Sequence, residues 1–317
     1  DVPCNLKFLI EGEEEVGSSH LEEYLTRYRE KFLCDATIWE FGYVDERERP
    51  IISLGMKGLL CVEIHAMCSN ADLHSSLAVL VENPAWRIVH ALRTIRDDNG
   101  LITIKNWYNE VRDFLPEELE CIKHEDFDIS DFKKTYGLSK IYNENDIELI
   151  KREYVGGVTA NISGLFSGYI LEGSKTVLPS KAMAKLDFRL VPDMIPKKQF
   201  QLLREHLDNN GFKDVQLKYL SGEPACRIPV NNEFGKLIEM CAREEYGKVI
   251  KSVSSAGTGP MWYFNEILKC PCVGIGCTYK YSRMHSPNEF VRIDLIKKTT
   301  KCIGSIIEEF GKSKDKI

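Results

Sequence analysis

The hydrophobic positions switch repeatedly between helical spacing and strand-like runs. The apolar run Phe8-Leu9-Ile10 predicts a buried strand over 7–10, stopped by the acidic turn 11–17. Ser19 with Glu22 has the capping-box pattern, and Leu21, Tyr24, Leu25, Tyr28 and Phe32 follow at helical spacing. A second strand over 36–39 ends at Glu40. After a charged loop closed by Pro50 the texture changes: 51–64 reads as a strand pair or bent strand through Gly55 and Gly58. A helix from Pro84, with Trp86, Val89, Leu92 and Ile95 inward, ends near Gly100. Residues 101–155 are polar, weakly helical and read as an insertion. A strand over 182–191, a helix over 197–210 stopped by Gly211, and a strand over 215–220 follow. Strand–helix–strand–strand–helix–strand suits a two-layer ferredoxin-like domain. Beyond Gly222 the α/β texture returns, with helices over 234–246 and 293–310 around a strand over 272–275. The expected organisation is an α/β domain over 1–50 and 222–317, interrupted by an inserted domain over 51–221.

Charge narrows the function classes. Lysine and arginine number 42 against 48 acidic residues, a net charge of −6, which argues against a mainly electrostatic nucleic-acid or membrane binder. No uninterrupted apolar run approaches the ~18 residues of a bilayer span. The eleven cysteines are an odd count without C-x-x-C spacing, and they read as reduced core thiols of a cytoplasmic protein. Cys270, Cys272 and Cys277 cluster, but with poor zinc-ribbon spacing. The chain begins at Asp1 with no initiator Met and no signal-peptide pattern, and runs directly into a strand-like segment, so it is expected to start in mid-fold.

Ligands of open α/β sheets collect beyond the carboxyl ends of strands, where Glu13-Glu14-Glu15 and Glu40 both fall. The triple carboxylate is either a helix N-terminus or a charge cluster that a metal would compensate. His285 and His74 are compatible with surface, core or site positions. Arg189, inside an apolar strand, is compatible with an outward-facing charge.

Taken together these residues resemble one family. The run Ile10-Glu11-Gly12-Glu13-Glu14-Glu15-Val16-Gly17-Ser18 is similar to the acidic signature of the co-catalytic metallopeptidases related to carnosinase, carboxypeptidase G, aminoacylase and succinyl-diaminopimelate desuccinylase. Trp39-Glu40, Asp72-Leu73-His74-Ser75, Asn83-Pro84, Pro179-Ser180-Lys181-Ala182, Phe188-Arg189-Leu190-Val191-Pro192 and His285-Ser286-Pro287-Asn288-Glu289 follow in the family's order. The resemblance covers essentially the whole chain. It implies a phosphorylase/hydrolase-like α/β catalytic domain, incomplete at its N-terminus, with an inserted ferredoxin-like lid and dimerisation domain. It also implies two divalent ions, most often zinc, with manganese or cobalt accepted. Glu14 would be the general base, Glu15 and His285 ligands of one metal, and Glu40 a ligand of the other. His74 would reach across a homodimer interface to steady the oxyanion, and Arg189 would grip a substrate carboxylate. Thr176, Gly257 and Thr258 match substrate-contacting positions more loosely.

The sequence also departs from the pattern. The spacing from Asp35 to Glu40 is one residue short, and Ala256 and Gly259 differ from the usual loop. The family's His-x-Asp motif and bridging Asp, placed before the acidic signature, have no counterpart here. Three of five protein ligands remain, so this chain alone is expected not to assemble the full site. The activity implied for the intact parent protein is exopeptidase hydrolysis of a peptide with a free carboxylate, and this chain alone is expected to be inactive. The alternatives are deacylation of an N-acyl amino acid, or an inert dimerisation fragment.

Overall fold

The computed structural model describes residues 2–313. A 3-10 turn (Glu14–Val16) leads into helices α1 (Leu21–Arg27) and α2 (Arg29–Phe32), then strands β1 (Thr37–Trp39), β2 (Tyr43–Val44), β3 (Ile51–Ser53) and β4 (Gly55–Met56). Next come β5 (Gly58–Met67), β6 (Leu73–His74), a 3-10 turn (Ser75–Val79) and α3 (Pro84–Arg93). Helices α4 (Pro116–Lys123), α5 (Ile129–Tyr136) and α6 (Ile147–Gly156) precede β7 (Thr159–Ser167), β8 (Val177–Leu178), β9 (Lys181–Leu190), α7 (Pro196–Asn209) and β10 (Gln216–Glu223). The remaining elements are β11 (Cys226–Arg227), α8 (Glu233–Tyr246), β12 (Ile250–Ser252), α9 (Met261–Tyr263), a π-helical turn (Phe264–Leu268), β13 (Cys272–Gly274), β14 (Thr278–Tyr279) and α10 (Ile293–Lys312). No helix among the described residues is long and apolar enough to cross a membrane.

Contacts divide this mixed α/β chain into two units. One comprises Gly58–Arg112 and Gly157–Pro224. Its sheet has the order β10-β5-β9-β7, with every neighbouring pair antiparallel. Period-2 alternation decides the faces. Leu60, Val62, Ile64, Ala184, Leu186 and Phe188 are buried with residues of α3 and α7 in one core. The other face is charged: Glu63 receives Lys185 at 3.2 Å, Lys218 at 3.7 Å and His65 at 3.0 Å.

Helix α3 forms from Pro84, with Asn83 accepting the Ala85 N–H as its cap. Its inward face differs from expectation. Ile95 is buried and Leu92 packs on the core as expected, but Ile88 and Ala91 are buried where Trp86 and Val89 are exposed. Both stripes are apolar at helical spacing, and contact with β5 and β9 selects the one with the smaller side chains.

The second unit holds residues 2–57, 113–156 and 225–313. Its sheet runs β1-β13-β3-β12, parallel at both outer pairs and antiparallel between β13 and β3. Val273, Ile52 and Leu54 pack with α8 and α10. Cys272 and Trp39 pack on the opposite side, among α1 residues and the π-helical turn.

Three expectations are corrected in this unit. Residues 7–10 form no strand: Phe8 is 82% and Ile10 91% exposed, and only Leu9 packs against a core. A three-residue apolar run lacks the ladder partners and the periodicity that would have settled its state. Ser19 and Glu22 form no capping box, because α1 starts at Leu21 behind His20, whose ring is held at 2.7 Å by Glu13. Finally, 113–156 groups with this unit rather than with the inserted one. Helices α4 and α6 bring Ile122 and Val155 onto Val253, and Glu118 pairs with Arg227 where both are 3% exposed.

Candidate active site

The acidic signature folds as a tight turn, and the turn sorts its carboxylates. Val16 and Ser18 donate their N–H groups to the Glu13 carbonyl, and Gly17 closes the turn at φ 89°. That left-handed closure is open to glycine without the strain a Cβ would bring. Ser18 Oγ donates to Glu11 at 2.6 Å, and Glu13 is turned to His20. Glu14 and Glu15 are left exposed side by side, with Glu15 Oε2 3.7 Å from His285 Nδ1. Crowding by protein atoms and the charges of Glu15 and Glu11 raise the Glu14 carboxyl above the ordinary range, an effect His285 partly offsets. A base pushed in that direction is better matched to neutral pH.

His285 lies in a loop anchored by β14 pairing with β2 and by Phe290 donating to the Ser282 carbonyl. Arg283, His285 and Asn288 all take left-handed backbone, at φ 62°, 57° and 64°. Such conformations are uncommon outside glycine and concentrate where a side chain must be aimed.

Glu40 follows β1 directly, and the Trp39 carbonyl accepts from Phe41 at 2.7 Å and Ile275 at 3.2 Å. Here the chains leaving β1 and β13 touch. A Cβ on Gly276 would stand 2.4 Å from the Gly42 nitrogen, so only glycine permits the crossing. Glu40 is exposed as a residue, yet protein atoms around its carboxylate raise its pKa. Gly257 and Thr258 sit in the loop after β12, where Gly257 N donates to Ser255 Oγ and Ser255 N to the Gly55 carbonyl. Gly259 has a physical reason to be glycine: its Cβ would meet the Trp39 ring at 2.5 Å.

The remaining candidates stand on the other unit. His74 and Thr176 are brought together by the β6–β8 ribbon, where Ser75 N donates to the Thr176 carbonyl at 3.1 Å. Asp72, which sequence reasoning passed over, pins this ribbon by accepting from both Ser180 N and Ser180 Oγ. Ser76 N donates to His74 Nδ1 at 3.2 Å, which assigns the neutral ring's proton to Nε2 and makes that nitrogen a donor. Arg189 lies on the helix-free face of β9, between Leu59 and Thr159.

Carboxylate oxygen and imidazole nitrogen suit a zinc-like ion, but the described residues bring only two such donors close together. No three His, Cys, Asp or Glu side chains among them gather around a common point, so the described set does not by itself close a metal centre.

A strained, acid-rich turn in a mixed α/β chain has known counterparts. The model of Peptidase family M20/M25/M40 matches residues 1–309, and the chain belongs to that family. It is 38% identical to an M20 family metallo-carboxypeptidase from Sulfolobus solfataricus, with a TM-score of 0.92 over 95% of this chain and 69% of that one. Among curated proteins, the Beta-Ala-His dipeptidase of Rattus norvegicus is 26% identical over 70% of this chain and 46% of its own length. The Cys-Gly metallodipeptidase dug1 of Schizosaccharomyces pombe is 30% identical over 65% of this chain and 44% of its own. The chain thus spans about half the length of the curated relatives it matches. Family membership implies the use of divalent metal.

Proposed function

We infer that the protein is a metal-dependent exopeptidase acting on dipeptides or short peptides with a free carboxylate. The observation that carries the reading is the convergence of Glu14, Glu15 and His285 on one strained turn pair in a member of this peptidase family. The dipeptidase and carboxypeptidase names of its relatives favour peptide over N-acyl amino acid substrates. Two divalent ions, zinc or alternatively manganese or cobalt, would supply an acidified water and a polarised carbonyl. Glu15 and His285 would donate to one ion and Glu40 to the other. Glu14 takes the proton from the attacking water and returns it to the leaving amine. Arg189 offers a planar fork to the substrate carboxylate. Thr176, Gly257 and Thr258 border the bound peptide.

The unit carrying His74 is read as the ferredoxin-like lid, a reading supported by its 4-1-3-2 strand order. Its edge strand β7 exposes Ile162, Leu165 and Phe166, which favours pairing with a second copy. In a two-fold homodimer each His74 would serve the neighbouring copy's site, donating from Nε2 to the developing oxyanion. A cytoplasmic location fits the reduced thiols.

The test is hydrolysis, by a protein that carries this chain together with the family's remaining metal ligands, of a panel of free and C-terminally amidated dipeptides, alongside N-acyl amino acids, with added zinc, manganese or cobalt. Cleavage of the free dipeptides and loss of cleavage on amidation is the expected result. Equal turnover of the amidated peptides, or turnover of N-acyl amino acids alone, would overturn the reading.

A further inference from the structure

Just before the parallel strands β1 and β13 begin, two thiols distant in sequence meet. Cys34 lies between α2 and β1, and Cys270 lies before β13. Their sulfurs are 3.5 Å apart across 236 residues of chain. Thr37 Oγ1 stands against both, at 3.2 Å from Cys270 and 3.5 Å from Cys34. Main-chain anchors flank the pair: Thr37 N donates to the Pro271 carbonyl at 2.9 Å, and Arg29 Nε to the Ile267 carbonyl at 2.8 Å. Cys270 is buried while Cys34 is half-buried, so one sulfur is reachable from solvent and the other is held behind it. That is the arrangement of an attacking and a resolving thiol.

We propose that Cys34 and Cys270 form a reversible redox pair, a modification site that oxidation by a peroxide closes into a disulfide locking β1 to β13. The Cys34 thiolate attacks one oxygen of hydrogen peroxide. An S–O bond forms, the O–O bond breaks, and the departing hydroxide takes a proton to become water. Cys34 is now a sulfenic acid, and the peroxide has been reduced. The Cys270 sulfur then attacks the Cys34 sulfur. The S–S bond forms, the S–O bond breaks, and the leaving hydroxide carries off the Cys270 proton as a second water. In sum, two thiols and one peroxide give one disulfide and two waters. Hydrogen bonding from Cys270 and Thr37, aided by the Lys7 charge, holds the Cys34 thiol below its ordinary value, so the attacking form is populated. The same coupling and burial hold Cys270 above it, as befits the thiol that waits.

The pair stands apart from the proposed peptidase residues, so its test does not depend on activity. The purified protein is exposed to hydrogen peroxide, alkylated, digested without reductant and mapped by mass spectrometry. The expected product is a Cys34–Cys270 cross-linked peptide pair, absent in Cys34→Ser and reversed by dithiothreitol. In Cys270→Ser the reaction should stop at the sulfenic acid, captured at Cys34 by dimedone. Before oxidation, iodoacetamide should label Cys34 roughly three- to tenfold faster than the half-buried Cys68, since the gain in thiolate exceeds the loss of nucleophilicity. Cys34 passing to sulfinic acid with no cross-link, or a cross-link that joins other cysteines and survives in Cys34→Ser, would overturn the proposal. Circular dichroism of both serine variants keeps it falsifiable: if they fold and still cross-link as the native chain does, the assignment is wrong.

Discussion

The two units hold their chains by different means. In the unit of Gly58–Arg112 and Gly157–Pro224, strands of eight to ten residues share one core under two helices. In the other unit the four strands of the main sheet are three residues each, and separate clusters pack on its two sides. Long alternating strands make position robust, because a one-residue slip would turn a whole face out. Short strands make it fragile, but they leave many turns and loops, and those carry Glu14, Glu15, Glu40 and His285. Core substitutions should therefore cost stability in the first unit, and substitutions of the exposed turn residues should cost chemistry in the second.

The sharpest break of that contrast is at Glu14. In a protein that carries this chain together with the family's remaining metal ligands, Glu14→Gln keeps the size of the side chain but cannot accept a proton, and should lower kcat by ~10²–10⁴. It is exposed in its turn, so the melting temperature should hardly move. Glu15→Gln should lower zinc content as well as kcat, measured by metal analysis of the purified variant. The reverse pattern, with metal lost from Glu14→Gln alone, would exchange the two roles.

Phe188→Ala tests the other side. Phe188 is fully buried, with its ring 4.9 Å from that of Trp107. Truncation there should cost about 3–5 kcal/mol, read by urea unfolding. Substituting the exposed Phe8 or Ile10 should stay within about 0.5 kcal/mol. Equal costs would mean that the segment before the acidic turn is structurally engaged after all.

How much of this was legible in the sequence follows the same divide. The alternation over 181–190, the glycine after α7 and the glycine after α8 mark elements whose state is settled locally. The acidic turn, His74 and His285 were legible as motif residues because the runs that carry them resemble the family's motifs in order. What was not legible depends on long-range partners. The inward face of α3 is chosen by the sheet beneath it, not by its own two apolar stripes. The helices over 113–156 are claimed by Val253 and Arg227, roughly a hundred residues further on. The left-handed backbone at His285 and the Cys34–Cys270 approach leave no mark in local spacing, since neither glycine nor a C-x-x-C pair announces them.

Gly276→Ala probes the join between strand ends and site. The new Cβ would meet backbone rather than a flexible side chain, so the crossing after β1 and β13 must open. Overpacking of this kind costs about 1–3 kcal/mol. Because the displaced segment carries Glu40, activity should fall together with stability. A variant that loses stability at unchanged kcat would separate Glu40 from the site.

The last contrast is in pH, where the two units should drift in opposite directions. Burial holds the His206 imidazole, which donates to the Thr94 carbonyl at 2.8 Å, below the ordinary value of 6.5. As pH falls below 6.5 the unfolded chain gains a proton that the folded unit does not take, so the His206 unit loses stability toward acid. Glu125 is the opposite case. Burial pushes its carboxyl from 4.5 up to about 7, and its Oε1 has no hydrogen-bond partner in the described structure. Between those values the folded unit keeps a proton that the unfolded chain has released, so stability is greatest below 4.5 and is lost as pH rises through 7. With partial solvent access, the Glu125 effect should be on the order of 1–2 kcal/mol. Amide hydrogen exchange, corrected for intrinsic rates, reads the two separately: Leu203 and Leu207 for one unit, Ile122 and Val155 for the other. Protection should rise with pH in the first pair and fall in the second, with His206→Gln and Glu125→Gln each flattening only its own slope. Parallel slopes that survive both substitutions would show that neither group governs its unit.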